Sequence, residues 1–222
     1  MLERVGNGAS EGHWLRAEQQ GGGRGRLGRA WLSPTGNIYT STMVSVLPTD
    51  PAASTLAFVA GLSVHDSACR YLDRNQALLK WPNDLMIDGA KMAGMLLERS
   101  ADAVVVGIGL NANVRPQIEG RATACLADFA GAPIDLPFLM ESLAGCFSRR
   151  LEQWRNEGLT ATLADWLDRA HPPGTPLAVT QADGSVISGF FAGLRQDGAL
   201  RLSFPDGRII DVMAGDVELV RG

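Results

Sequence analysis

The chain has 222 residues, 45% of them hydrophobic, and a formal net charge of −4. That length supports one good core, or a main domain plus a small one, and the acidic balance gives no general electrostatic footprint for DNA or RNA. No apolar run reaches the roughly 18 residues of a membrane span, and residues 1–20 lack a signal-peptide core, so no membrane association is expected. Three cysteines, Cys69, Cys125 and Cys146, are widely spaced, and His13, His65 and His171 are isolated. No metal site and no disulfide framework are therefore expected, and a reducing cytoplasmic compartment fits.

In chain order, Leu15–Glu18 reads as a short strand entering the run Gln20-Gly-Gly-Gly-Arg-Gly-Arg-Leu-Gly-Arg-Ala-Trp31. Asn37–Val46 is rich in β-branched residues and predicts a strand. Asp50-Pro51 predicts a helix start, with Asp as cap and Pro first, and the helix extends to about Leu72. Gln76–Lys80 is a short strand, broken by Trp81-Pro-Asn-Asp84. Leu85–Ile87 and Gly94–Glu98 predict a hairpin around Asp88-Gly89. Val104–Leu110 is a continuous apolar run, as in a buried strand. Asp135-Leu-Pro137 opens a helix whose stripe of Leu139, Leu143, Phe147, Leu151 and Trp154 predicts core packing. Thr160–Ala170 is a second helix.

His171-Pro-Pro-Gly174 breaks the pattern and predicts a domain boundary, with residues 1–172 before it and 173–222 after it. Beyond it come five short strands, Leu177–Thr180, Ser185–Leu194, Ala199–Phe204, Arg208–Met213 and Val217–Val220. Asp-Gly pairs separate several of them and predict tight antiparallel turns, hence a small SH3-like barrel.

The Gly/Arg run carries the strongest chemical signal. Glycine lets backbone approach a ligand closely, and arginine's planar fork grips carboxylate or phosphate. Gly23, Gly25 and Gly28 satisfy the GxGxxG spacing of dinucleotide folds, but the context fails. A turn at Ser33-Pro-Thr-Gly36 stands where a helix is required, and no acidic residue occurs between Glu18 and Asp50. Arg29-Ala30 also stands where a P-loop needs Lys-Ser/Thr. Three further segments place polar groups beside glycine or at breaks: Lys80-Trp-Pro-Asn-Asp84, Lys91-Met-Ala-Gly-Met-Leu-Leu-Glu98 and Gly107-Ile-Gly-Leu-Asn111. By itself Lys91 reads as a solvated turn lysine, and Asp84 as a turn or cap residue.

Taken together in this order, GRGRLGRAW, KWPNDL, KxxGMLxE and GIGLNAN resemble the catalytic domain of the biotin protein ligases. The resemblance covers about residues 9–222. It implies an α+β fold of the class II synthetase-like kind, a mixed and largely antiparallel sheet with packed helices, followed by the SH3-like barrel. It also implies ATP with Mg2+, biotinyl-5′-AMP as intermediate, and transfer of biotin to a lysine of a biotin carboxyl carrier protein, by a monomer or a homodimer.

The roles implied are these. Gln20, Gly23, Arg24, Gly25, Arg26, Lys91 and Gly94 match biotin-contacting positions. Arg26, Arg29, Trp31 and Asn111 match nucleotide-contacting ones, with Trp31 stacking on adenine. Lys91, Arg26 and Asp84 are the catalytic candidates; Asp84 orients Lys91 or receives the incoming amine.

One feature departs from the family pattern: the 19 residues before Gln20 hold no Ser-Thr-Asn segment, and Asn7 and Ser10 do not match it. Losing two or three hydrogen bonds of about 1 kcal/mol each predicts biotin binding weakened by roughly one to three orders of magnitude. The same short segment is too small for a helix-turn-helix, so no sequence-specific DNA binding is expected. A lipoate-type acyl transferase shares the general fold, and a non-catalytic biotin or adenylate-binding module is the reading of a different class.

Overall fold

The computed structural model describes residues 1–2, 10–100 and 102–220. A six-stranded antiparallel sheet runs in the order β1-β2-β6-β5-β4-β3. Its strands are β1 (Trp14–Ala17), β2 (Ile38–Ser45), β3 (Ala77–Lys80), β4 (Asp84–Ile87), β5 (Ala90–Ser100) and β6 (Ala103–Leu110). The central strands hold because their β-branched runs can be buried: Val104, Val105, Val106 and Ile108 of β6 and Ile38 and Val44 of β2 all lie in the interior. The Asp88-Gly89 hairpin forms, with Asp84 opposite Gly94 and a bulge at Leu85/Met86. Asp88 (φ +48°) and Gly89 (φ +71°) take the left-handed turn conformation there.

Helix α1 (Leu56–Ala68) is buried on nearly every side, from Leu56 and Val59 to Val64 and Ala68, because it lies between the sheet and the long helix Leu136–Asn156. The helix expected from Asp50-Pro51 begins later than that. Asp50 turns its carboxylate onto the Leu47 N–H (2.9 Å) and toward Arg155 (3.4 Å), so it closes a turn. A 3-10 turn at Ala53–Thr55 precedes α1, and α1 ends at Ala68 rather than Leu72. A single turn, α2 (Ala127–Ala130), leads to α3 (Leu136–Asn156). There Asp135 does cap the helix, accepting from Phe138 N at 3.0 Å. The expected stripe, Leu139 through Trp154, is buried. Trp154 Nε1 donates to Thr55 Oγ1 at 2.8 Å, which fixes α3 to the entry of α1. Helix α4 (Gly158–Leu167) follows, two residues earlier than its sequence signal.

The C-terminal strands are β7 (Pro176–Thr180), β8 (Val186–Leu194), β9 (Leu200–Ser203), β10 (Ile209–Val212) and β11 (Asp216–Leu219). They pair antiparallel in the order β10-β9-β8-β7-β11, a meander with its last strand returning beside its first, as in an SH3-like barrel. This unit seats on the first through Trp81, whose Nε1 donates to Gly198 O at 3.0 Å. Gly198 holds φ +87°, and a Cβ there would lie 2.6 Å from the Phe58 ring. Only glycine satisfies both demands.

Candidate active site

One cavity of about 640 Å³ opens on the sheet. Its floor is the strand surface at Gly94, Leu96, Gly107 and Gly109, with Leu15, Ala17 and Ser41 toward the β1 edge. Its roof is the Gln20–Trp31 loop. The glycines of the floor have a physical cause. A Cβ on Gly109 would fall 2.5 Å from the Trp31 ring, and one on Gly94 would fall 3.0 Å from it. Glycine inside a strand interior, otherwise unfavourable, is what allows the ring to lie on the sheet. Lys91 Nζ stands 5.4 Å from the ring centroid, within cation–π range.

The loop folds back on itself. Gly25 N donates to Arg29 O at 2.7 Å and Trp31 N to Gly23 O at 2.9 Å. Gly23 has no space for a side chain, since a Cβ would meet Trp31 O at 2.6 Å and Gln20 Oε1 at 2.8 Å. Gln20 in turn accepts from Ser33 Oγ at 3.0 Å. The tip, Leu27-Gly28, turns with φ +55° and +72°, leaving Leu27 79% exposed. A leucine held left-handed at an exposed tip is local strain of the kind that collects at functional loops.

The arginines part company. Arg24 stays exposed on the cavity rim. Among the described residues, Arg26 makes one side-chain hydrogen bond, from Nη1 to Gly215 O at 3.1 Å, and it lines the cavity with its other guanidinium nitrogens unengaged. Arg29 forms a two-pronged pair with Asp216, 2.5 Å and 2.8 Å long, and its Nε donates to Arg26 O at 3.3 Å. Arg29, expected to face the phosphates, lines the cavity, and in this arrangement each nitrogen of its guanidinium has one acceptor.

Lys91 is not a solvated turn lysine. It opens β5 with its side chain only 28% exposed and its Nζ 2.5 Å from Asp84 Oδ1. Asp84 is itself buried, and its second oxygen takes Lys80 at 3.1 Å. Burial pushes the Asp84 carboxyl up, but the two ammonium groups more than reverse this and hold it below the usual carboxylate range. Burial draws the Lys91 ammonium below the ordinary lysine range, against the opposing pull of Asp84. Lys80 Nζ also donates to Val217 O at 2.6 Å. Asn83 places its Nδ2 2.5 Å from Met95 O, tying the Trp81–Asp84 break to β5.

Asn111 and Trp31, also expected at the nucleotide, differ in placement. Asn111 does not line the cavity; it is 2% exposed, and its Nδ2 donates to Ala124 O at 3.1 Å. It closes the segment after β6 onto β5, where Asn111 N also donates to Met92 O. Trp31 lays its ring on Gly94 and Gly109, and its buried indole N–H has no hydrogen-bond partner among the described residues. It shares the floor with Lys91 and lines the cavity. Of the N-terminal positions compared with the missing segment, Asn7 lies outside the described residues, and Ser10 pairs with His13 Nδ1 at 2.8 Å. Met1 and Leu2 border the cavity.

A profile of the biotin/lipoate A/B protein ligase family matches residues 9–113. The biotin--[acetyl-CoA-carboxylase] ligase of Paracoccus denitrificans is 35% identical over 90% of this chain and 88% of its own length. This chain belongs to the biotin protein ligase family. A second ligase of the same description, from Mycobacterium tuberculosis, is 34% identical over 100% of this chain and 84% of its own. The biotin protein ligase of Aquifex aeolicus, solved in complex with biotin and ATP, superposes with a TM-score of 0.85 at 28% identity. That match covers 100% of this chain and 94% of the other. The superposition extends through the C-terminal sheet and supports the α+β fold with its small barrel.

Set beside the family motifs, the structure adds residues that the sequence did not mark. Lys80 lies inside KWPNDL, and its charge next to a buried Asp was a usable signal. Gly109 lies inside GIGLN, and two glycines in an apolar strand already indicate close approach. Asn37 is fully buried, and its Oδ1 accepts from the N–H groups of Ala112, Asn113 and Val114 at 2.9, 3.1 and 3.0 Å. Asp216, 187 residues from Arg29, carried no local signal.

Proposed function

We propose that this protein joins biotin to ATP as biotinyl-5′-AMP and then passes the biotinyl group to a lysine of a biotin carboxyl carrier protein. The observation that carries this reading is the convergence of Lys91 and Arg26 in one glycine-floored cavity, in a chain of the biotin protein ligase family. In the first step a carboxylate oxygen of biotin bonds to the α-phosphorus, and pyrophosphate leaves. In the second the carrier amine bonds to the activated carbonyl carbon and gives up a proton, the acyl C–O bond breaks, and AMP leaves with that bond's electron pair. Two anions must meet in the first step, and fixed cations reduce that repulsion most where water is scarce.

Lys91 lies at the carboxylate–phosphate junction and stabilises negative charge in both steps. Arg26, with spare donors, holds phosphate oxygens, and Arg24 attracts the anion from the rim. Gln20, Gly23, Gly25 and Gly94 shape the biotin side, and Trp31 forms part of the floor beside it. Asp84 orients Lys91. With two ammonium groups on a carboxyl held low, it is a poor acceptor for the carrier's proton.

Mg2+ fits this site as an ion brought by the nucleotide. Among the described residues no group of three or more His, Cys, Asp or Glu side chains could hold a metal, and Glu98 is the carboxylate on the cavity lining. The ion's remaining ligands would come from phosphate and water, and bound there it offsets polyphosphate charge. The reading assigns no DNA partner, because the chain is net acidic and the loop arginines serve the cavity and Asp216. Among the described residues no helix is long and apolar enough to cross a membrane, and the three cysteines are free. ATP use with free thiols agrees with the cytoplasm. Residues 1–172 form the catalytic unit in this reading and 173–222 the barrel that seats on it.

The test is the intact mass of a carrier domain incubated with this protein, Mg-ATP and equal biotin and lipoate. A biotinyl adduct that requires ATP is expected. No adduct, with a control ligase active on the same carrier, would sink the proposal.

A further inference from the structure

Three consecutive residues at the entry to β11 hold three cations of the catalytic sheet and its loop. Gly215 O accepts from Arg26, the Asp216 carboxylate grips Arg29, and Val217 O accepts from Lys80. We propose that Asp216 is a positioning residue of the active site: it clamps Arg29, and through Arg29 the whole Gln20–Trp31 roof, leaving the phosphate anion to Arg26 and Lys91. This inference rests on the adenylate-forming function proposed above.

The geometry of Arg29 supports the clamp. A guanidinium has five N–H donors on three nitrogens. Here both terminal nitrogens meet one carboxylate, and Nε meets the backbone of its own loop at Arg26 O. The pair is a fork-on-fork arrangement, the strongest and most directional that arginine makes. It is only partly exposed, with 33% and 26% of the two side chains accessible, so water competes with it weakly.

The partner position is rigid as well. A Cβ on Gly215 would fall 2.7 Å from Val179 Cγ1 and 3.1 Å from Thr180 O, so the chain before Asp216 runs hard against β7. Asp216 itself pairs with Thr180 in the β11–β7 ladder. The barrel therefore offers a fixed carboxylate, and the glycine-rich loop, with little stiffness of its own, takes its position from it.

Arg26 then has a defined task. Its backbone carbonyl receives Arg29 N at 3.2 Å and Arg29 Nε at 3.3 Å, so the clamp sets the direction of the residue whose spare donors line the cavity. The barrel, otherwise remote from the chemistry, becomes part of the site through one carboxylate.

The test is charge reversal. Arg29→Asp, Asp216→Arg, the double reversal, and the near-isosteric Asp216→Asn are compared in the full chain. One readout is biotin-dependent pyrophosphate release with KM for ATP and kcat separated. The other is the rate of trypsin cleavage after Arg24 and Arg26. Each single reversal is expected to lower kcat/KM by about tenfold or more, the scale of one charge-assisted pair, and to speed loop cleavage. Asp216→Asn is expected to do the same more mildly.

The double reversal is expected to recover most of both losses. If it restores protection of the loop but leaves activity as low as Arg29→Asp alone, Arg29 acts on the nucleotide and the clamp is refuted. Native kinetics and native protection in Asp216→Asn refute it as well. If the unaltered protein releases no pyrophosphate with biotin, the proposed function fails, while loop cleavage still decides the clamp.

Discussion

Lys91 and Lys80 approach a single carboxylate from opposite sides: Asp84 Oδ1 lies 2.5 Å from Lys91 Nζ, and Oδ2 lies 3.1 Å from Lys80 Nζ. One buried negative charge thus serves two ammonium groups, and the excess positive charge is directed at the cavity where Lys91 opens.

Removing that carboxylate leaves the two lysines unbalanced. Asp84→Asn is expected to destabilise the fold by about 3–5 kcal/mol, the cost of stripping one partner from a buried charge group. The folded Asp84 carboxyl sits below its ordinary value. Its contribution is therefore present above the unfolded pKa of about 4 and is lost as pH falls through the lower folded value. Urea titrations at pH 7 and pH 3 check this: the difference between wild type and variant should shrink in acid.

Lys91→Met keeps bulk and loses charge. Adenylate formation is expected to fall by about 100-fold or more, because the junction of two anions loses its cation. Single-turnover measurement of biotin-dependent AMP incorporation checks it, and a change under threefold would remove Lys91 from its proposed role.

Arg26→Ala is expected to impair adenylate formation or retention by about 10–100-fold, the value of one or two charge-assisted bonds. The dissociation rate of preformed adenylate reads retention separately from formation.

Gly109→Ala places a methyl group inside the Trp31 ring. The ring must lift, at a cost of about 1–3 kcal/mol for overpacking. Biotin affinity should fall by about tenfold or more while thermal stability changes by only a few degrees, which calorimetric titration and a melting curve distinguish.

His65 is fully buried on α1, with Nε2 3.1 Å from Arg74 O and Nδ1 3.8 Å from Asp66 Oδ1. Burial pulls its pKa down, but Asp66 and Cys69 reverse this and raise it to about 9. A raised histidine stabilises fully below its unfolded pKa near 6.5 and loses that contribution as pH climbs through about 9. Unfolding free energy is expected to drop by about 2–3 kcal/mol between pH 6.5 and 9.5 in wild type and to stay nearly level in His65→Gln.

The sequence alone determined the local features. Period and turn chemistry marked the Val104–Leu110 strand, the Asp88-Gly89 hairpin, the Asp135 cap and the meander of the C-terminal strands, because each depends on neighbours a few residues apart. The four motifs resembling the biotin protein ligases likewise marked Lys91, Arg26 and Gly94 as residues of one site. No helix starts at Asp50, because a cap signal is local, whereas the Leu47 N–H and Arg155 that claim its carboxylate depend on the fold. Only the tertiary structure decided how the arginines divide. Arg26 and Arg29 are equivalent in sequence, three residues apart in one glycine-rich loop. Asp216 reaches only one of them with both oxygens, because β11 returns beside β7 and fixes a carboxylate at that point. Long-range electrostatic pairing of this kind leaves no trace in periodicity or propensity.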